Sequence, residues 1–155
     1  MNDPTSAQAV PHRAMRLTKR QVSDDESVRK IIDSCKVVRI GCEDDEGLFI
    51  VPMNFGYEWA EGETSRLAAG VPRLTLWLHC AGEGRKAEAF NRKPRVAIEM
   101  DCEDGLITGD YACAYSYAYR SIMGSGIVRP VTDAAGKCRG LVAVMRHMAP
   151  KAPIT

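Results

Sequence analysis

The sequence predicts a mainly β protein, a small antiparallel β-barrel with α-helices on its outside. At least five segments have the length and the apolar or alternating pattern of strands. They follow one another mainly in hairpin order, with one short helix between the third and the fourth, which favours an antiparallel barrel over a βαβ fold. The 155 residues, 45% of them hydrophobic and 26% charged, have the balance of one soluble globular domain.

The first predicted element is a helix from about Asp24 to Ser34. The stretch 23–26 reads Ser-Asp-Asp-Glu, which is a capping box with acidic residues where the helix dipole favours them. An apolar stripe at helical spacing predicts that this helix packs across one end of the sheet; it consists of Val28, Ile31, Ile32 and Cys35. The residues before it, 1–20, are expected to form an irregular N-terminal arm.

A hairpin is predicted next. Residues 37–40 and 48–51 are apolar strands, and the acidic stretch 43–47 between them ends in glycine, as turns do. Pro52 cannot donate to a β-ladder, so the second strand is expected at a sheet edge or bulged there, before Asn54, Phe55 and Tyr57 continue it. The stretch from Glu61 to Pro72 is predicted to be a surface loop.

Two further strands flank a short helix. Residues 74–78 and 96–100 are apolar strands, and the helix from about Gly84 to Asn91 ends before Pro94, which restricts the residue preceding it. The stretch 115–128 alternates and predicts a long fifth strand. Its tyrosines share one face, which we interpret as barrel core; they are Tyr115, Tyr117 and Tyr119.

A last helix is predicted behind a cap at Thr132 or Asp133. Its apolar residues recur at helical spacing; they are Ala134, Cys138, Leu141, Met145 and Met148. Gly136 and Gly140 each weaken such a helix by about 1 kcal/mol relative to Ala. The alternative role of these two glycines is to permit close packing.

Composition excludes several classes of function. Twenty-one Lys and Arg against twenty Asp and Glu give a net charge of +1, so we expect no long-range attraction to nucleic acid or anionic membranes. No apolar run approaches the length of a membrane span, and the N-terminus lacks a secretory pattern, so a cytoplasmic location is expected. The six cysteines include no CxxC pair, so no metal site is predicted, and most are expected to be small buried thiols.

The connection from Leu78 to Lys86 has the composition of an anion-binding loop. It leads from an apolar strand through Gly82 and Gly84 into a helix that starts with Arg85 and Lys86. Glycines let backbone N–H groups turn toward a ligand, and cations at a helix N-terminus donate charge-assisted hydrogen bonds to phosphate. The alternative is a plain strand-to-helix connection with two solvated cations.

The same stretch satisfies the dinucleotide-binding pattern G-x-G-x-x-A from Gly82 to Ala87, with Glu99 and Asp101 at the end of the next strand. A helix of two turns, cations within the loop and antiparallel strands afterwards disfavour a Rossmann fold. A Walker phosphate loop is disfavoured as well, since no Gly-Lys-Ser/Thr follows the glycines.

His79 is the histidine whose position indicates chemistry, because it ends the third strand beside this loop. His12 lies in the N-terminal arm and His147 near the end of the last helix. Three histidines without a nucleophile elbow assemble neither a Ser-His-acid triad nor a metal triad, so hydrolysis is not predicted. Near-neutral charge also argues against RNA stacking on the tyrosines.

Four stretches of the sequence, in this order and spacing, resemble the split-barrel flavoproteins related to pyridoxamine 5′-phosphate oxidase, and in particular their nitroimidazole-resistance subgroup. The resemblance covers residues from about Met15 to Met148. The matching stretches are VPMNFGY at 51–57, LHCAGEGRK at 78–86, NRKPRV at 91–96 and YRSIMGSG at 119–126.

The resemblance implies a homodimer of six-stranded antiparallel split barrels that binds flavin, usually FMN, at the subunit interface. FAD is an alternative, and haem a weaker one. It places Val51, Pro52, Met53 and Asn54 at the edge of the isoalloxazine ring through backbone groups. It places Arg85 and Lys86 on the phosphate, Ser121 at a polar flavin contact and His79 near the reactive face of the ring, as the candidate catalytic residue. The matching stretches add Cys80, Gly84 and Arg120 to the candidate flavin-binding residues.

Two departures from the family pattern narrow the expected activity. Chains of the true oxidase continue into a C-terminal segment that grips pyridoxal phosphate, whereas this sequence stops at Thr155, so oxidation of pyridoxamine phosphate is not expected. Cys80 stands where relatives of the subgroup commonly carry serine, which weakens hydrogen bonding at that position.

The sequence therefore predicts a flavin-binding domain over 21–150, with a tail at 151–155. The predicted function is an FMN-dependent oxidoreductase that reduces a small organic substrate such as a nitroaromatic compound. The alternative is a non-catalytic flavin- or haem-binding protein on the same barrel.

Overall fold

The computed structural model describes residues 13–61 and 73–153, which form six strands and three α-helices. The helices are α1 (Asp25–Ser34), α2 (Arg85–Arg92) and α3 (Ala134–Met148), and two short 3-10 turns lie at Thr18–Arg20 and Ala112–Ala114. The strands are β1 (Val38–Asp44), β2 (Gly47–Met53), β3 (Phe55–Trp59), β4 (Leu74–Leu78), β5 (Arg95–Ile107) and β6 (Ser116–Ile127). Most of the predicted loop from Glu61 to Pro72, and the first part of the N-terminal arm, lie outside these residues.

The strands form two antiparallel sheets. The larger sheet has the order β2-β1-β5-β6, and β3 and β4 pair as a separate two-stranded ribbon. This arrangement confirms the predicted mainly β, antiparallel fold with flanking helices. It also confirms the edge position expected from Pro52, because β2 is an edge strand of the larger sheet. The expectation that Asn54, Phe55 and Tyr57 continue this strand is wrong, because β2 ends at Met53 and β3 pairs with β4 in the other sheet. Strand β5 is longer than predicted, and an irregularity between Glu103 and Gly105 interrupts its register with β6.

The core lies between the inner face of the larger sheet, the ribbon and α1. Side chains from β1, β3 and β5 are almost completely inaccessible, among them Val38, Ile40, Phe55 and Met100. Helix α1 adds Ile31, Ile32 and Cys35 to this cluster, and Val28 packs against it, so the predicted stripe is confirmed. The N-cap is Asp24, whose carboxylate accepts a hydrogen bond from the Ser27 amide at 2.8 Å.

Helix α3 lies against the ribbon through its glycine face. A Cβ at Gly140 would come within 2.7 Å of the Trp77 ring, and one at Gly56 in β3 within 2.3 Å of the α3 backbone. Close packing is therefore the role of Gly140. The predicted apolar stripe is wrong, because Leu141 and Met145 are 48% and 45% exposed. The predicted stripe was chosen mainly from the larger apolar residues of α3, whereas the helix packs on the ribbon through its small residues.

Two further expectations about burial are corrected by the structure. The tyrosine face of β6 is not barrel core, since Tyr117 and Tyr119 are 49% and 62% exposed. Alternation shows that a strand has two faces, but it does not say which one lies inside. Of the six cysteines, Cys35 and Cys42 are buried; Cys80 and Cys102 are half-buried, and Cys113 and Cys138 are exposed.

Candidate functional site

The outer face of the larger sheet exposes large apolar side chains on both of its edge strands, with charged side chains between them. Leu48 and Ile50 on β2 are 85% and 69% exposed, and Met123 on β6 is 77% exposed. Large exposed apolar side chains grouped on one sheet face mark a binding site or an interface. This face is the main candidate for the functional surface.

Two rows of side chains cross this face. One row is Ile50, Gly41, Ala97 and Ser125, and the next is Pro52, Arg39, Glu99 and Met123. At the centre of the first row no side chain is larger than a methyl group, and a Cβ added to Gly41 would lie 3.4 Å from that of Ala97. The row therefore offers a flat surface to which a planar ring system can be apposed.

Arg39 is the charged centre of the second row, and the sequence analysis did not identify it. Its Nη1 donates to Glu99 Oε2 at 2.9 Å and also to Asp101. The hydrogen bonds to Asp101 and then to Glu99 raise the pKa of the Arg39 guanidinium above its ordinary value. Asp101 lies across the ladder from Ser121, so this ion cluster borders the predicted flavin contact. The signal in the sequence is that Arg39 lies between the apolar residues Val38 and Ile40 of β1. Alternation along a strand therefore places its side chain on the opposite face of the sheet from theirs.

Strand β2 presents the predicted ring-binding segment at the sheet edge. Val51 and Met53 point toward the core, whereas Pro52 points outward and is exposed. An edge strand leaves half of its backbone N–H and C=O groups outside the ladder, so contacts through the backbone of residues 51–54 are available here. The Asn54 side chain is engaged elsewhere, because Nδ2 donates to the Lys36 carbonyl at 2.9 Å.

Helix α2 begins behind an open glycine turn. Gly84 is the N-cap with φ of 94°, a conformation that favours glycine, and no side chain caps the helix. A Cβ at Gly82 or at Gly84 would meet nothing within 4 Å. The start of α2 therefore has no side-chain cap and has open space around its two glycines, which is compatible with the anion-binding loop that the sequence predicts.

The two cations that follow have different surroundings. Arg85 makes a bidentate ion pair with Asp44, with distances of 2.6 Å from Nε and 3.0 Å from Nη2, and its guanidinium lies 4.2 Å from the centre of the Phe49 ring. Arg85 lowers the pKa of the Asp44 carboxyl, chiefly through these hydrogen bonds. Lys86 is half-buried and, within residues 13–61 and 73–153, has no carboxylate at ion-pair distance.

The remaining predicted residues divide between two surfaces. Ser121 faces outward beside Asp101, but its neighbour Arg120 points to the opposite side of β6 and pairs with Asp104 at 2.8 Å and 2.9 Å. The structure therefore does not bring Arg120 to the surface that Ser121 shares. His79 is exposed and Cys80 half-buried, just after β4. Because Phe55 pairs with Leu78, Asn54 and His79 lie at the same end of the ribbon.

The larger of two described cavities, about 550 Å³, lies away from these residues, between β3, α3 and the end of α1. Several of its polar side chains are bonded to one another. The Tyr57 hydroxyl donates to Asp33 at 2.6 Å, and Arg139 pairs with Glu58 at 2.7 Å and 2.8 Å. None of the predicted site residues lines this cavity, so it is not the site that the sequence predicts.

The sequence of the chain matches a known protein family. The family model described as pyridoxamine 5′-phosphate oxidase matches residues 24–155. The chain belongs to the pyridoxamine 5′-phosphate oxidase family. Its two antiparallel sheets of four and two strands are those of the split barrel of that family, as the sequence predicts.

Solved structures share the fold of this chain. A protein from Bacteroides thetaiotaomicron VPI-5482 assigned to 5-nitroimidazole antibiotic resistance is 30% identical, with a TM-score of 0.65 over 86% of this chain and 71% of the other. The flavocytochrome Anf3 from Azotobacter vinelandii, 23% identical with a TM-score of 0.62, shares the fold over 85% of this chain and 57% of its own. An FAD and haem binding protein from Mycobacterium smegmatis, 16% identical with a TM-score of 0.65, does so over 84% and 56%.

No curated protein matches the chain. Among residues 13–61 and 73–153, no group of three or more His, Cys, Asp or Glu side chains is arranged to hold a metal ion. No helix in the same part of the chain has the length and apolarity that crossing a membrane requires.

Proposed function

We propose that this protein is a flavin-dependent oxidoreductase that binds FMN between two copies of the chain and reduces a small organic substrate, such as a nitroaromatic compound. The observation that carries the proposal is the outer face of the larger sheet, with its exposed apolar side chains on both edge strands. It lies between an open edge strand and Ser121, in a member of the pyridoxamine 5′-phosphate oxidase family. We place this activity in the cytoplasm, as the sequence predicts.

The residues of the outer face fit a flavin ring by shape and by hydrogen-bonding capacity. The row through Gly41 and Ala97 is flat, the edge of β2 supplies backbone donors and acceptors, and Ser121 adds a hydroxyl. A second copy of the chain covering this face would remove Leu48, Ile50 and Met123 from water together with the ring. The dimer and the cofactor site are thus one proposal, since each needs the other to bury this surface.

The open turn before α2 fits the phosphate end of the cofactor. The uncapped start of α2 and the ammonium group of Lys86, which has no carboxylate partner among residues 13–61 and 73–153, would hold the phosphate. Arg85 helps to keep α2 against the β1–β2 turn through Asp44. When bound, FMN would supply the hydride-transfer chemistry that amino-acid side chains lack. The chain positions the ring and excludes water from one of its faces. His79, exposed at the ribbon end, would donate a proton to the reduced substrate.

The experiment that tests this proposal is a visible spectrum of the purified full-length chain, followed by identification of the released cofactor. A yellow protein whose cofactor elutes as FMN, and which reoxidises when a nitroaromatic compound is added to the reduced form, supports it. A colourless chain that also fails to bind FMN or FAD supplied in excess would overturn it. Unfolding temperature measured with and without FMN gives a second readout, because a ligand of the native state must raise it.

A second candidate function is flavin or haem binding without turnover. It is favoured by the exposure of His79, which leaves its imidazole available as an axial ligand. A haem absorption band after reconstitution that is lost in His79→Ala would favour this candidate. A flavin spectrum that His79→Ala leaves intact, together with substrate reduction that it lowers, would favour the oxidoreductase.

A further inference from the structure

Two cysteine sulfurs that are distant in the sequence are in contact in the structure. The Sγ atoms of Cys35 and Cys102 lie 3.0 Å apart, with 67 residues separating the two positions. Cys35 follows the last residue of α1, and Cys102 lies within β5 on the inward-facing side of the larger sheet. The pair therefore joins the helix to the sheet, and it lies on the side of the sheet opposite to the proposed flavin surface.

The backbone at both positions is held by hydrogen bonds. The Cys35 amide donates to the carbonyls of Ile31 and Ile32 at 3.1 Å, and the Cys35 carbonyl accepts from His147 Nε2 at 2.7 Å. Cys102 is fixed in the ladder between β5 and β6, opposite Arg120. Since neither backbone segment is free to drift, the two sulfurs stay close, and an approach of about 1 Å completes a disulfide bond.

We propose that Cys35 and Cys102 form a reversible thiol–disulfide site, which a low-molecular-weight disulfide such as oxidised glutathione converts into an intramolecular disulfide. This modification is independent of the proposed flavin chemistry, because the oxidant is external and the pair lies away from the outer face. The described cysteines are all free thiols in the structure, so the reduced form is the one observed.

The reaction proceeds in two exchange steps. Cys102, the more accessible thiol of the pair, loses its proton to water and attacks one sulfur of oxidised glutathione, and the first glutathione leaves as a thiolate. Cys35 then loses its proton and attacks the Cys102 sulfur of the mixed disulfide, releasing the second glutathione. Two protein thiols are oxidised by two electrons in total, and one glutathione disulfide is reduced to two thiols.

The surroundings of Cys35 explain this order. Its side chain is only 2% exposed, and burial raises the pKa of the Cys35 thiol to about 12, with the Cys102 thiol and Asp101 adding to the shift and Arg120 opposing it. Such a thiol is a poor first nucleophile. In the second step it attacks a sulfur already beside it, and the high effective concentration of an intramolecular reaction compensates for the small thiolate fraction.

The test uses the full-length chain equilibrated in glutathione buffers of increasing oxidised fraction, then acid-quenched, alkylated and digested without reductant. To remove reactive surface thiols, the same titration is run on a background carrying Cys80→Ser, Cys113→Ser and Cys138→Ser. We expect the Cys35 and Cys102 thiols to disappear together, a peptide linking the two positions to form, and dithiothreitol to reverse both changes.

Matched variants separate the two steps. In the same background Cys35→Ser should stop the reaction at a mixed disulfide of Cys102 with glutathione, whereas Cys42→Ser should leave the cross-link unchanged. The oxidised form should unfold at a temperature on the order of 10 °C higher than the reduced form, because the bond closes a long loop.

Either of two results would overturn the proposal. One is that both thiols remain alkylated at every glutathione ratio, and the other is that Cys102 becomes glutathionylated while Cys35 stays free. If a serine variant fails to fold, the linked peptide of the wild-type chain, which needs no substitution, decides the matter.

Discussion

Arg85 and Lys86 are neighbours in the sequence, yet their side chains have separate roles. The sequence predicts the same phosphate contact for both, because its local pattern shows two cations at a helix start. The ion pair with Asp44 is formed across 41 residues, so no local pattern contains it.

Arg39 was not identified from the sequence for the same reason, because its partners Glu99 and Asp101 lie 60 and 62 residues away. The edge position of Pro52 was accessible to sequence reasoning, since a missing N–H is a local property, whereas Ser121 was predicted from the resemblance of its stretch to the flavoprotein family.

The difference between Arg85 and Lys86 predicts different outcomes for the two alanine variants. Lys86→Ala should weaken FMN binding by about tenfold or more, the loss of a charged hydrogen bond to phosphate, and should leave the unfolding temperature of the cofactor-free chain unchanged. Arg85→Ala should lower that temperature, because it removes one of the three ion pairs with Asp44, Asp45 and Glu43 that join α2 and its C-cap to the β1–β2 turn. Fluorescence titration with FMN and thermal unfolding measure the two effects.

Lys137→Ala, on α3, is the matched control and should change neither quantity. Should Lys86→Ala retain FMN with wild-type affinity, the phosphate must lie elsewhere on the chain.

His147 is a buried histidine that the sequence analysis set aside. It is 8% exposed, its Nε2 donates to the Cys35 carbonyl at 2.7 Å, and its ring lies 4.4 Å from that of Phe55. Burial lowers the pKa of His147 below 6.5, and Lys36 acts in the same direction, while the hydrogen bond to Cys35 and nearby Asp33 oppose the shift. The neutral imidazole is therefore the form that the fold favours.

We expect the free energy of unfolding to fall as the pH drops below about 6.5, because there the unfolded chain binds a proton at this position that the folded chain does not. His147→Gln keeps a donor for the Cys35 carbonyl and should reduce this loss. Urea unfolding of the wild-type chain and of His147→Gln at about pH 7.5 and pH 5.5 measures this loss of free energy. The carboxyls with lowered pKa values, such as Asp44 and Asp104, titrate below 3.8 and act in a separate, more acidic range. An equal loss in both proteins would assign the pH dependence to other groups.

At the scale of elements, local patterns located most of the helices and strands. The limits of β4 match the prediction, and α1 and α2 lie within one residue of it at each end. The faces of β6 and α3 were assigned wrongly, because burial depends on what packs against an element. Helix α3 contacts the ribbon through Gly140 and Ala143. The predicted stripe was built mainly from large apolar residues, so it did not include these two small ones.

The contact between α3 and the ribbon predicts that Gly56→Ala is strongly destabilising. Its Cβ would overlap the backbone of Ala143 and Val144 at 2.3 Å, and backbone atoms cannot rotate away as a side chain can. We expect a loss of about 3 kcal/mol in the free energy of unfolding, as for an overpacked core. Gly126→Ala, in β6 with nothing within 4 Å of its Cβ, is the control and should change it by less than about 0.5 kcal/mol. Similar values for the two variants would mean that α3 moves away at little cost.

At the scale of the whole molecule, the apolar side chains exposed on the outer face of the larger sheet predict self-association. Met123→Arg places a charge in the row that the proposed dimer would bury, so we expect a monomer that has lost its flavin. Leu141→Arg, a matched change on the exposed side of α3, should leave both the dimer and the flavin intact. Light scattering coupled to size-exclusion chromatography, with absorbance at the flavin wavelengths, reports both properties. A Met123→Arg chain that remains dimeric and yellow would move the interface to another surface.

The position of α3 also bears on when the chain can fold during its synthesis. This helix follows all six strands in the sequence, yet it covers the ribbon at Gly56 and reaches α1 through the bond from His147 to Cys35 and the one from Lys36 to the His147 carbonyl. A two-stranded ribbon is marginal without such a cover. A ribosome adds roughly 5–20 residues per second. The synthesis of α3 is therefore completed several seconds after that of the ribbon on which it packs. During that interval we expect the nascent chain to offer Phe55 and Trp77 to chaperones, and a ribosome stalled before residue 134 to retain this exposed state.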